Sequence, residues 1–348
     1  MSIKHGNYPG SAVAFLGYGI ILCCVLGDIN RGNQFGKLAL NLMKQFINQE
    51  FKARIIWSVY ALLIHWKKHA RKTVRLVSEN YQIGLETGDF EYASYSASIY
   101  STYSFFTGME LSELKGKITI YEKAILAMNQ EMIIGHIKLF RQAVLNLTDQ
   151  VENPYRLAGE ACNEEQALSI FLKANDKWAI FNLYLHKLML YYLFYKFILS
   201  VKYATEVEEV IEGATGTLHV PIFHFYDSLA RLAVFLDSPK PERKRILKKV
   251  AKNQKKMKKW AHHAPMNHLH KFYLVEAERL RVIGKDSKAA DLYDQAVELA
   301  KDNEYINEEA LANELAGKFY LTKGKKILPE PISQKRVTAT CAGVPRLR

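Results

Sequence analysis

Proline is scarce in this sequence, with nine in 348 residues. Few helix breakers are therefore present. There is also no run of alternating strand-like segments closed by Asn-Gly or Asp-Gly turns, which argues against a β-sandwich or β-barrel. Cysteine is scarcer still. The four cysteines share no repeated spacing, which gives neither a disulfide framework nor a zinc ribbon. Cys23 and Cys24 are adjacent and cannot readily bridge. A reduced, cytoplasmic setting fits this usage.

Catalytic motifs are missing as well. No G-x-G-x-x-G, H-R-D or D-F-G element of a kinase occurs, no G-x-S-x-G elbow and no H-E-x-x-H zinc helix. The nearest approach to a phosphate-binding loop is "GNQFGK", Gly32 to Lys37. Its first glycine stands one place too close, and Leu38 replaces the hydroxyl that would hold Mg²⁺. The expectation is a chain without an active site or cofactor of its own.

What is abundant is apolar surface. At 49% apolar and 12% aromatic residues the chain can bury a sizeable core and is not a disordered polymer. The apolar residues recur with helical periodicity, so the class is all-α. Helical candidates include 51–67, 112–149, 164–176, 219–236 and 240–260. One run, "SAVAFLGYGIILCCVLG" (residues 11–27), is free of charge over 17 positions and raises a signal peptide or membrane anchor as a rival reading. Its shortness, its three glycines and the lack of a cleavage site favour a buried helix, and no membrane span is expected.

A repeat underlies the helices. Gly27, Gly32, Gly36 and Ala39 follow one another at steps of five, four and three. Gly88, Ala93, Ala97 and Tyr100 do the same, as do Gly284, Ala289, Tyr293 and Ala296, and more loosely Tyr195, Ser200, Ala204 and Val207. Glycine permits the positive φ that ends one helix and turns into the next. The small residues then fall on one face of the second helix, where it lies close to its partner. This is the grammar of a tetratricopeptide-like helical hairpin, with Gly27, Gly88, Gly284 and Gly324 as turn residues. The predicted fold is a TPR-like α-solenoid of antiparallel hairpins, about a dozen helices over residues 1–326, with a bend near 213–221. After Gly324 the next helix should begin, but Pro329 and Pro331 block it. Residues 327–348 are predicted to be a divergent, disordered tail.

Charge is concentrated. Of the net +13, residues 240–263 carry +10 and residues 323–348 carry +6, leaving the remainder at −3. In the first block Ile246, Val250, Met257 and Trp260 mark an apolar helix face, and the lysines lie largely outside it. Solvated surface is the plain reading. An anionic partner at 240–263 is the sharper one, whether nucleic acid, lipid or an acidic protein. A nucleic-acid-binding solenoid would spread basic residues over every repeat, whereas these fall in two blocks. The candidate partner-binding set is Lys255, Lys256, Lys259, Trp260, His262, His263, His268 and His270. Four histidines so close also raise a metal site. His262 and His263 are adjacent, and His268 and His270 lie about 200° apart on a helix, so neither pair shares a face. His263 with His268, across the break at Pro265, is the weak remaining candidate; capping and packing are the expected roles.

Several longer stretches resemble one family: "YPGSAVAFLGYGIILC" (8–23), "YQIGLETGDFEYASYSASIYS" (81–101), "VPIFHFYDSLA" (220–230), "NQKKMKKWAHHAPMNHLHKFYLVEAERLRVIG" (253–284) and "NEYINEEALANELAGKFYL" (303–321). It is the helical-repeat middle region of large cyanobacterial hybrid signalling proteins. These join a serine/threonine kinase, a STAND-type AAA ATPase, this region, a GAF domain and a sensor histidine kinase. The resemblance spans residues 1 to about 326. It implies a non-catalytic scaffold and relay whose partners are proteins or the neighbouring ATPase and kinase domains. Every catalytic part of that family lies outside this segment, so no active-site residue carries over. The divergent tail implies a truncated or frameshifted fragment.

Overall fold

The computed structural model describes residues 8–45, 51–149 and 151–324. Among them are fifteen α-helices and no strand, only an isolated bridge between Ala158 and Asn163. The fold is an all-α helical repeat. Helices α1 (Pro9–Ile20) and α2 (Ile29–Met43) form the first hairpin, joined through a π-turn at Ile21–Val25. Next come α3 (Lys52–Leu62), a 3₁₀ turn at Ile64–Trp66, and the hairpin of α4 (Ala70–Thr87) and α5 (Phe90–Phe106). Then follow α6 (Leu111–Ala127) and α7 (Glu131–Thr148), α8 (Glu164–Lys173) and α9 (Lys177–Leu193), and α10 (Phe197–Glu209). The last part holds α11 (His219–Ala233), α12 (Lys240–His263), α13 (Pro265–Val282), α14 (Asp286–Asp302) and α15 (Ile306–Thr322).

The small-residue steps build these hairpins as expected. Ala93, Ala97, Ser200, Ala204, Ala289, Tyr293 and Ala296 are all fully buried. A Cβ on Gly32 would collide with Cys23 of the π-turn, and one on Gly84 would meet Ala93 at 2.8 Å. Only bare backbone lets these helices approach so closely. Gly27, Gly88, Gly284 and Gly324 adopt φ of 66–75°. Four further turns reach the same left-handed conformation without glycine, at Asn129, Asn175, Tyr195 and Glu304. In each, the next amide bonds back five residues, as Lys196 N–H does to the Tyr191 carbonyl at 2.8 Å. This Schellman closure satisfies the carbonyls that a helix end leaves free. The candidate helix 112–149 is therefore two helices split at Asn129, and the total exceeds a dozen.

The charge-free run at 11–27 is half of a hairpin. Ala12, Leu16, Leu22 and Cys23 are buried, whereas Tyr18, Ile21, Val25 and Leu26 are exposed. No helix among the described residues is long and apolar enough to cross a membrane. The bend expected near 213–221 coincides with a 3₁₀ turn at Ile211–Ala214, Gly216 at φ 86°, and the start of α11. There the Leu218 amide donates to the Tyr103 hydroxyl, which donates in turn to the Ala61 carbonyl, both at 2.8 Å. The expected tail, 327–348, lies outside the described residues.

One feature departs from a linear repeat array, in which each unit touches only its neighbours. The loop at 65–71, entering α4, packs against α12, α13 and the start of α15. Trp66 faces Trp260 at 5.7 Å, and His69 Nε2 bonds with the Asn303 carbonyl at 2.9 Å. The superhelix closes upon itself.

Candidate functional site

Helix α12 spans 24 residues, about 36 Å at 1.5 Å per residue. Pro241 and Glu242 suit its first turn, where a missing N–H is harmless and a carboxylate meets the positive end of the dipole. Ile246, Val250, Met257 and Ala261 are buried along the inner face. Asn253 is buried among them; its amide nitrogen donates to Asp227 at 2.7 Å and to Ser228 Oγ at 3.0 Å. Lys249, at the edge, forms an ion pair with Glu208. Its amine is pushed down to about 8, by burial first and then by Lys252 and Lys256.

The outer face is different. Between Lys240 and Lys259 nine lysines and arginines are exposed. Lys244, Lys248, Lys252, Lys255 and Lys259 recur at steps of four, four, three and four, which aligns them in one stripe. Among the described residues none of these five is ion-paired; the one acid on the helix, Glu242, pairs with Arg245 at 3.4 Å.

The predicted partner-binding residues divide by this geometry. Lys255, Lys256, Lys259 and His262 are exposed on the basic face. Trp260 is half-buried, packed against Trp66 and, at 5.5 Å, against His224. His263 is half-buried, with Nδ1 3.1 Å from Lys67 Nζ. His268 and His270 are buried, at 0% and 2% exposure, so neither reaches a partner. The reason is the break at Ala264–Pro265, which starts a new helix whose first turns are enclosed on both sides. His268 faces Trp66 and Trp260, with no polar partner on either ring nitrogen among the described residues, and His270 faces Tyr305 and Glu308. His263 and His268 are therefore not a metal pair: one sits beside a lysine, the other inside an indole cage. Among the described residues no group of three or more His, Cys, Asp or Glu could hold a metal ion.

The same stretch contains the closing contact, which the sequence did not single out. Asn267 is fully buried at its centre. Its Oδ1 accepts from the Ala70 amide and the Tyr305 hydroxyl, both at 2.9 Å. Its Nδ2 donates to the carbonyls of His65 at 2.7 Å and Lys68 at 2.8 Å. One turn on, buried Lys271 donates to the Asn267 carbonyl at 2.8 Å, pairs with Glu308 at 2.7 Å and lies 4.3 Å from the Tyr305 ring centre. Burial lowers the Lys271 pKa, opposed by Glu308. Burial alone would raise the Glu308 carboxyl, but Lys271 and His270 together hold it below its ordinary value. His270, bonded to Glu308, is pushed down to about 4 by burial and by Lys271. A lone Asn and a lone Lys on a helix give no sequence signal; only the 200-residue pairing reveals them.

Beside this contact lies a groove of about 700 Å³. Its walls are α4 (Arg71, Arg75, Ser78, Gln82) and the entry to α6 (Glu110, Glu113), with Tyr100 and Thr107 contributed by α5 and its end. Arg71 belongs to both places. It lines the groove, donates to the Thr107 carbonyl at 3.0 Å and pairs with Glu304 next to Tyr305.

No known protein-family model matches the chain, and comparison with curated proteins finds no match.

Proposed function

We propose that this chain is a non-catalytic helical-repeat scaffold that binds a protein partner and relays its presence. The observation that carries the reading is Arg71. A groove lined by both arginines and glutamates suits an extended peptide, whose backbone and termini offer both signs of charge. A ligand carboxylate that draws the Arg71 guanidinium competes with Glu304 for it. Occupancy of the groove is thereby linked to the contact that closes the superhelix. The family resemblance of residues 1–326 supports the same role within a larger cytoplasmic signalling protein, where an ATPase and kinases supply the chemistry.

Peptides selected from a display library against the chain provide the test. Binding should fall at least tenfold in Arg75→Glu, which reverses a groove charge without touching the closing contact. Hydrogen exchange at residues 303–308 should change when the selected peptide binds the unaltered chain. Peptides that bind the Arg75→Glu variant undiminished, with exchange at 303–308 unmoved, overturn the reading.

A further inference from the structure

The exposed face of α12 has properties that a groove-binding scaffold does not require. Its nine exposed lysines and arginines lie within 19 residue steps, about 28 Å, or about one charge per 3 Å. Five of them, the Lys244–Lys259 stripe, stand about 5.6 Å apart along the axis, so each long side chain can meet its own phosphate on a duplex that carries one charge per about 1.7 Å. The face is also chemically uniform. Asn253 and Gln254 point inward, Trp260 is packed against Trp66, and between Lys244 and Lys259 Ala251 is the only exposed apolar side chain.

Each absence narrows the occupant. A protein interface needs an apolar, aromatic or arginine-rich centre and is depleted in lysine, which is the reverse of this face. A single strand is held by bases stacked on aromatic rings, and no Trp, Tyr or Phe ring is exposed on this face. A bilayer is bound by a helix that inserts apolar side chains between headgroups, and those of α12 face the core. No exposed Asn or Gln is present to read a base edge. The lysines also crowd one another: after burial, Lys252 is the main cause that lowers the Lys256 amine. A polyanion would relieve that repulsion.

We infer that the Lys244–Lys259 stripe of α12 is a docking face for the phosphate backbone of double-stranded DNA, without base recognition. The inference is independent of the peptide groove, since α4 and α6 contribute nothing to the stripe.

The probe is a fluorescein-labelled 24-base-pair DNA duplex, titrated with the full chain by anisotropy between 50 and 200 mM salt. Five phosphate contacts give a slope of log K against log salt of about −4.5, a loss of about five-hundredfold over that range. The variant K248Q/K252Q/K255Q, all at exposed positions, should bring the slope to about −2 and the loss to about tenfold. K285Q/K288Q/K301Q, on α14 and the residue that precedes it, equally exposed and equal in charge change, should leave the slope unchanged. Scrambling the duplex should also change nothing. The basic block at 323–348 is constant throughout, so a slope that survives K248Q/K252Q/K255Q assigns binding elsewhere and overturns the inference. So does tighter binding to an RNA duplex of the same sequence, to polyglutamate, or to vesicles containing phosphatidylserine.

Discussion

Lowering the pH should unfold this protein through its histidines, well above the range where carboxylates protonate. Seven imidazoles are buried; His136 faces Asp176, and the other six are His65, His186, His219, His224, His268 and His270. Burial drives His65 and His186 down to about 4, and burial with Lys271 does the same to His270. His224 falls to about 3 through burial and Lys256, and burial first, then neighbouring bases, hold His219 and His268 well below the ordinary imidazole value. All six rings are neutral in the fold at pH 5.5, whereas an unfolded chain protonates them near pH 6.5. A base with a depressed native pKa contributes its full stability above pH 6.5 and loses it as pH falls toward 4. At pH 5.5 the unfolded state gains roughly 1.4 kcal/mol per ring, or roughly 8 kcal/mol for six. At pH 5.0 the sum is roughly 12 kcal/mol, comparable to the whole stability of a typical domain. Asp227 acts in the opposite direction, since burial raises its carboxyl, but it is one group against six. Urea melts followed by circular dichroism at pH 7.5, 6.5, 6.0 and 5.5 measure the effect. The slope near pH 5.5 should correspond to uptake of five to six protons, and His219→Leu should remove about one of them. A urea midpoint unchanged from pH 7.5 to 5.0 would falsify the assignment of these rings as neutral and buried.

Other substitutions test the closing contact and the turns. Asn267→Ala leaves the Ala70 amide, two carbonyls and the Tyr305 hydroxyl unpaired, and should lower stability by about 4 kcal/mol in the same urea assay. Glu308→Leu strands Lys271 as a buried, uncompensated charge at a cost of about 3–5 kcal/mol. Adding Lys271→Met should restore most of that loss, and a double-mutant cycle that shows simple additivity would contradict the pairing. Gly88→Ala has open space around the new methyl but a φ of 71°, so it should cost about 1–2 kcal/mol from backbone strain alone, read as a lower melting temperature.

Much of the architecture was legible in the sequence because it rests on local rules. Steps of five, four and three after a glycine place Ala93, Ala97, Ala289 and Ala296 where two helices meet, and all four are buried. The turns at Asn129, Asn175, Tyr195 and Glu304 were not legible as a set, because each borrows a glycine's conformation with a different side chain. The amphipathic face of α12 could be read from its period, which is why its exposed lysines were found. The packing role expected of His268 and His270 agrees with their burial, but their place in the partner-binding set does not, because what encloses them is the loop at 65–71 and the start of α15, distant in sequence. Asn267 and Lys271 were missed for the same reason: their meaning lies in partners 37 to 202 residues away.

The contact that closes the superhelix also sets an order on folding. In a linear repeat array each hairpin can settle on the one before it as soon as it is made. Here the carbonyl of Lys68 meets its donor in Asn267, 199 residues later. At 5–20 residues per second, synthesis of that interval takes about 10–40 s. Throughout it the first hairpins exist as a half-formed shell, with the Ala70 amide and the carbonyls of His65 and Lys68 unanswered. Because long-range closure is slow and its reward comes last, the finished chain should behave kinetically as one unit rather than as a ladder of independent rungs.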